Sequence, residues 1–389
     1  MPGHFIDKGI MDQMRSISVL VKPSSSACNM HCDYCFYCDE TAKRQQQSYG
    51  FMSVETLKNV IKRTLMRTDG VYSLAFQGGE PTLRGMDFFE TAAKYTRKYN
   101  RNHAEINLAI QTNGYALNEK WCQMLRDEHF LVGLSVDGLP EIHDLYRHGN
   151  DGGSSWEHVL QAGSLMDRYG VEYNILTVVH RKTAEHVKEI YEAYKKRGWH
   201  YQQYILCLDP LGEEHGKRGY SVSPEEYGRF LIALFNMWYD DFLKEEEPYI
   251  RQFDNYIAIL LGHVPESCEQ RGGCGVQYVV EADGSVYPCD FYALDQWKLG
   301  NFNEDLLPTI DERRLEKGFV GRSEKLSDKC LQCRWLSLCR CGCFRQRVKD
   351  TADGEKYINY YCTGYQMFFD ACGERLQAMA EEVRRRSGR

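Results

Sequence analysis

The chain has 389 residues, 43% hydrophobic and 26% charged, with a formal net charge of −7. That length suits two domains with sizeable cores. The acidic balance, with no basic stripe before the closing "VRRRSGR", argues against a nucleic-acid partner, and the lack of any long apolar run argues against a membrane span.

In chain order, the opening "MPGHFIDKGIMDQMR" has no apolar h-region, so it predicts an N-terminal extension over 1–15 and a cytoplasmic protein. Apolar and β-branched runs then predict strands at 16–21, 72–76, 106–111, 131–136, 173–179 and 201–207. Amphipathic stretches between them predict helices at 54–66, 88–99, 119–127, 156–169 and 184–196, the first with Ser53 as N-cap. Six strands separated by helices predict an α/β fold with a parallel sheet. Six units suit a partial (β/α)6 TIM-like barrel, in which chemistry gathers on the loops after the strands' C-terminal ends. Those loops carry "ACNMHCDYCFYC", "QGGEP", "TNG" and "DG" after strands one to four. A helical stretch, "SPEEYGRFLIALFNMWYDDFL", closes this part. The character then changes, which predicts one domain over 16–248 and a cysteine-rich one over 249–389.

Sixteen cysteines in a reducing compartment predict metal or redox chemistry, not a disulfide framework. Cys28, Cys32 and Cys35 have the spacing CxxxCxxC, and three thiolates on one loop can hold three corners of a [4Fe–4S] cube. The fourth iron then stays open, because a cube takes four ligands. Cys38 continues the rhythm and could compete for that corner. Zinc is the alternative, although structural zinc draws on separated ligand pairs. Cys122, Cys207 and Cys372 stand alone and predict ordinary buried thiols.

CxxxCxxC after strand one, an aromatic Tyr34 before its last cysteine, and Gly78, Gly79, Glu80 and Pro81 after strand two resemble the radical S-adenosylmethionine (SAM) superfamily. The resemblance implies that the three cysteines hold a cluster and that SAM chelates its unique iron. It also implies that the GGEP segment meets the methionine amino group; glycines allow close backbone approach and a carboxylate suits an ammonium. "CLQCRWLSLCRCGC" and the later "YYC" resemble the SPASM domain, which implies two auxiliary [4Fe–4S] clusters. By that resemblance Cys268, Cys274, Cys289 and Cys343 hold the first. Cys330, Cys333, Cys339 and Cys362 hold the second. An extra Cys341 within "CRCGC" leaves the ligand choice there open by one position.

Across nearly the whole chain the sequence is most similar to anaerobic sulfatase-maturating enzymes, through "SACNMHCDYCFY", "SLAFQGGEPTL", "LAIQTNGYAL", "FLVGLSVDGLPEIHDLYR" and "VVEADGSVYPCDFYALDQWKLGN". The resemblance implies SAM contacts from Tyr34, Gly79, Ser135, Arg147 and Leu208, with Tyr37 and Gln77 lining the space beside SAM. It also implies that Asp290, next to Cys289, is the general base. The implied reaction oxidises a sulfatase cysteine or serine to Cα-formylglycine: a 5′-deoxyadenosyl radical abstracts hydrogen from Cβ, and an electron leaves through the auxiliary clusters. The implied partners are an extended sulfatase polypeptide and a one-electron reductant such as flavodoxin or ferredoxin. Two other readings compete: a SPASM maturase forming a thioether or carbon–carbon crosslink in a ribosomal peptide, and a zinc-stabilised binding protein without catalysis.

Overall fold

The computed structural model describes residues 15–350 and 355–386; the expected extension, apart from Arg15, and the last three residues of the basic tail lie outside these. Six strands run parallel and side by side in chain order: β1 (Ile17–Val21), β2 (Val71–Phe76), β3 (Glu105–Thr112), β4 (Phe130–Ser135), β5 (Tyr173–Val179) and β6 (Tyr201–Leu206). Strand β2 shows the alternation that selects a pleated surface, with Tyr72, Leu74 and Phe76 fully buried and the residues between them partly exposed. The predicted α/β architecture and all six strands are present, with ends shifted by at most one residue.

The sheet continues beyond both edges of this array. A two-residue strand β7 (Tyr249–Ile250) pairs parallel with β6. On the other side β8 (Tyr278–Val280) pairs parallel with β1, followed by antiparallel β9 (Ser285–Tyr287) and β10 (Gly300–Asn301). The cysteine-rich half therefore shares one ten-stranded sheet with the first half.

Helices α1 (Val54–Leu65), α2 (Met86–Tyr99), α3 (Glu119–Asp127), α4 (Trp156–Tyr169) and α5 (Val187–Arg197) lie between the strands. Ser53 caps α1 as predicted, its hydroxyl accepting from the Thr56 N–H at 3.0 Å. The predicted 184–196 helix is instead two, because His186, with φ −112°, separates Arg181–Glu185 from α5. Helix α6 (Pro224–Phe242) starts with a full capping box between Ser223 and Glu226. Helix α7 (Arg251–Leu260) and the long α8 (Cys362–Arg386) pack with it, joined by Phe235, Phe253 and Phe368. Among the described residues no helix is long and apolar enough to cross a membrane.

Helices α6 and α8 cross at two glycines. A Cβ on Gly364 would fall 2.2 Å from the Pro224 carbonyl oxygen, and one on Gly228 would fall 2.9 Å from the Gly364 Cα. Backbone cannot yield as a side chain can, so Gly364→Ala is expected to lower stability by about 2 kcal/mol. It would also displace the start of α8, where Cys362 sits two residues away. Gly219→Ala, whose Cβ meets nothing within 4 Å, is the control. Denaturant unfolding of the two variants side by side checks this; equal midpoints would show that the helices part at no cost.

Candidate active site

The C-terminal ends of the parallel strands converge on one cavity of about 390 Å³. After β1 comes the cysteine loop. Its Met30–Cys32 segment pairs antiparallel with Arg147–Gly149, which sets Cys32 opposite Arg147. A short helix, Phe36–Ala42, begins directly after Cys35. After β2, Gly78 and Gly79 take φ values of 107° and 54°. At Gly79 a Cβ would lie 2.1 Å from the Ala27 carbonyl oxygen, so only glycine allows this loop to press against the cysteine loop. The Glu80 N–H donates to that same carbonyl at 2.9 Å.

Each of Cys28, Cys32, Cys35, Tyr34, Tyr37, Gln77, Gly78, Gly79, Glu80, Ser135, Arg147, Leu208 and Asp290 lines this cavity, as do Cys268 and Cys343. Cys207, expected as an ordinary buried thiol, is buried but also forms part of the wall; Cys122 and Cys372 are buried within the main core. A wider cavity of about 880 Å³ lies beside the 212–217 loop, and none of the sequence-predicted site residues lines it.

Glu80, which lines the cavity, is also hydrogen-bonded to its neighbours. Its Oε1 accepts from the Thr82 N–H and from the hydroxyls of Thr82 and Thr112, and its Oε2 accepts from the Asn113 N–H at 2.9 Å. The carboxyl caps the turn Pro81–Arg84 and ties the β2 loop to the β3 loop. Burial raises its pKa, while those hydrogen bonds pull the other way.

Asp290 is held by two groups from distant segments. The Lys22 ammonium, fully buried at the end of β1, meets Oδ1 at 2.5 Å, and Gln77 Nε2 donates to Oδ2 at 3.0 Å. Lys22 also lies over the Tyr37 ring, 3.8 Å from its centroid. Tyr37 in turn donates its hydroxyl to Glu281 at 2.5 Å, and the Arg44 guanidinium reaches the same oxygen at 2.7 Å. Tyr34 donates to Asp137 and accepts from Arg147 at 3.1 Å. Lys22, Arg44 and Glu281 were missed by sequence reasoning, and Asp137 was marked only as part of the "DG" after strand four. A lysine closing the strand "ISVLV" was the one local signal that could have exposed Lys22.

The thiols are poised unequally. Burial pushes Cys28 up to about 11 and Cys32 up to about 12. The Cys35 thiol pKa is instead lowered, chiefly through a hydrogen bond from Cys38, with backbone N–H groups of Cys38 and Tyr37 adding to it against the effect of burial. A bound metal deprotonates thiols outright. The surroundings fit an anionic cluster with a ligand beside it: three thiols on the loop after β1, a buried guanidinium at Arg147 next to Cys32, and an Arg147 Nε that has no hydrogen-bond partner among the described residues.

Farther along the chain the thiols fall into two groups. Cys343 lies within electrostatic reach of Cys268 and Cys274, and Cys289 within reach of Cys343 and Cys268. Cys330, Cys333, Cys339 and Cys362 form the other group, together with Cys341. Among the described residues no three side chains close around a single metal ion. All sixteen cysteines are unpaired.

Residues 23–194 match the radical SAM superfamily, and residues 273–334 match an iron–sulfur cluster-binding (SPASM) domain. The chain is 43% identical to a cysteine-type anaerobic sulfatase-maturating enzyme of Clostridium perfringens, over 95% of this chain and 100% of that protein. It is 31% identical to a serine-type anaerobic sulfatase-maturating enzyme of Bacteroides thetaiotaomicron, over 95% of this chain and 92% of that one. The solved structure of native anSMEcpe with bound AdoMet and the Cp18Cys peptide superposes with a TM-score of 0.88 at 43% identity, covering 95% of this chain and 100% of that one. Identity of this extent along the full length of the relatives, on the same fold, means that the chain belongs to the anaerobic sulfatase-maturating enzymes of the radical SAM superfamily.

Proposed function

We propose that the chain oxidises a cysteine of an extended sulfatase segment to Cα-formylglycine. Higher identity to the cysteine-type relative than to the serine-type one favours cysteine over serine. The observation that carries the reading is the shared cavity, whose wall holds both the CxxxCxxC thiols and a carboxylate bound by Lys22 and Gln77. Bound SAM and a reduced [4Fe–4S] cluster supply the one-electron chemistry that removes hydrogen from the substrate Cβ.

The side chains do the rest. Cys28, Cys32 and Cys35 would hold the cluster, and Arg147 offsets the charge of their thiolates. Gly78 and Gly79 present open backbone to the methionine end of SAM, on a turn that Glu80 braces. Tyr34, Ser135 and Leu208 shape the remainder of that subsite, and Tyr37 flanks the substrate's side. Asp290 takes the thiol proton, with both its oxygens oriented before the substrate arrives. Cys268, Cys274, Cys289 and Cys343 would hold one auxiliary cluster beside Asp290, and Cys330, Cys333, Cys339 and Cys362 a second. On this reading residues 16–248 form the radical SAM part and 249–389 the auxiliary-cluster part. Free thiols throughout suit a reducing cytoplasm, where a one-electron donor such as flavodoxin or ferredoxin would serve.

The anaerobically reconstituted enzyme, given SAM, a reductant and a sulfatase-motif peptide containing cysteine, is expected to lower the peptide mass by about 18 Da. A loss of two hydrogens alone would mean crosslinking and would sink the proposal. Asp290→Asn keeps the shape and removes the base, so turnover should fall about 10²–10⁴-fold at unchanged iron content. Normal turnover would remove Asp290 from its role. Separately, Cys28→Ala should lose about four irons per chain and SAM cleavage with them; full iron content would move the first cluster elsewhere.

A further inference from the structure

The segment Cys339–Cys343 places three thiols within five residues, and its backbone divides them between two destinations. Arg340, Cys341 and Gly342 take φ values of 50°, 65° and 58° in succession. Two of these residues carry a Cβ in the left-handed region, at a cost of roughly 1 kcal/mol each. Such a conformation persists only where the surroundings enforce it. Here they do: Arg347 Nε and Asn359 Nδ2 donate to the Cys341 carbonyl at 3.0 and 3.1 Å, and Arg347 Nη2 donates to the Gly342 carbonyl at 2.8 Å. The turn leaves Cys343 with the first auxiliary group and delivers Cys341, only 2% exposed, to the second. There its sulfur lies 3.9 Å from that of Cys330.

That separation decides what both thiols can do. Two thiolates on one tetrahedral metal, at about 2.3 Å each, stand roughly 3.8 Å apart, whereas thiolates on different irons of a cube point away from separate corners. Cys330 and Cys341 can therefore serve one corner between them, with Cys333, Cys339 and Cys362 left for the other three. We propose that Cys341 and Cys330 are interchangeable ligands of a single iron in the second auxiliary cluster. The inference rests on the reading that this group of cysteines holds a [4Fe–4S] cube. In the exchange the Cys341 thiol gives up its proton and its thiolate binds iron. The Cys330 thiolate leaves and takes up a proton, and no electron moves. The cluster thus keeps four ligands when either thiol is lost to oxidation or alkylation.

Iron and sulfide content, with EPR spin counts of the reduced full-length protein, test this. The unmodified chain should hold about twelve irons; about eight would remove the second auxiliary cluster itself and the inference with it. Cys330→Ala and Cys341→Gly should each retain about twelve irons, the glycine being suited to the left-handed backbone. The double variant, and Cys339→Ala as the control, should fall to about eight with one spin signal missing. Loss of the cluster in Cys330→Ala alone, or in Cys341→Gly alone, would overturn the exchange. Far-UV circular dichroism and the two surviving cluster signals verify folding of the double variant; the single variants decide the question even if it fails to fold.

Discussion

Two ion pairs inside the protein join the cysteine loop to the segment that follows β8. Lys22, at the end of β1, meets Asp290, and Arg44, beyond the loop's short helix, meets Glu281 with both partners fully buried. In sequence these partners are more than 200 residues apart. Charge taken out of water is expensive, and such pairs often add little to stability compared with an apolar packing of the same volume. What they provide here is placement. The parallel pairing of β1 with β8 brings the two segments side by side, and the ion pairs then set the orientation of Asp290 and, through Glu281, of Tyr37 in the cavity that the thiols also line.

The same burial governs the sulfur chemistry. Desolvation raises the thiol pKa of Cys289 and Cys343 as well as those of Cys28 and Cys32, so burial opposes the ionised form of these four thiols. A metal held by such thiols must offset that cost, which links its binding to the fold. Backbone turns carry out the sorting. Left-handed residues at 340–342 divide neighbouring cysteines between two groups, and at Gly79 the β2 loop closes on the Ala27 carbonyl with no room for a side chain.

Much of this was legible in the sequence because the signals are local. Alternation and helical periodicity gave the six strands to within a residue, and the loops after them were marked by cysteines and glycines. His186 hid its break because the apolar spacing runs through it undisturbed. The bracing of Glu80 by Thr112 and Asn113 was not legible, since only the register of β2 beside β3 brings those two within reach. Lys22 and Glu281 were invisible for the same reason, since each acquires meaning from a partner hundreds of residues away.

The charge balance of the cavity follows from these placements. Lys22 is matched by Asp290 and Arg44 by Glu281, Arg147 lies near the buried carboxylate of Asp137 through Tyr34, and Glu40 and Glu80 are the other buried acids nearby. Glu40 has no hydrogen-bond partner on either oxygen among the described residues, and burial, reinforced by the Asp290 charge, holds its pKa well above the usual carboxylate range. Arg147 stays cationic, and Tyr34 engages its Nη1 while Nε has no partner. A buried cation with spare donor capacity, set against thiols, suits a strongly anionic occupant. The folded chain thus sets a buried guanidinium beside Cys32, with the Asp137 carboxylate close by, and holds the Asp290 carboxylate between an ammonium and an amide in the same cavity.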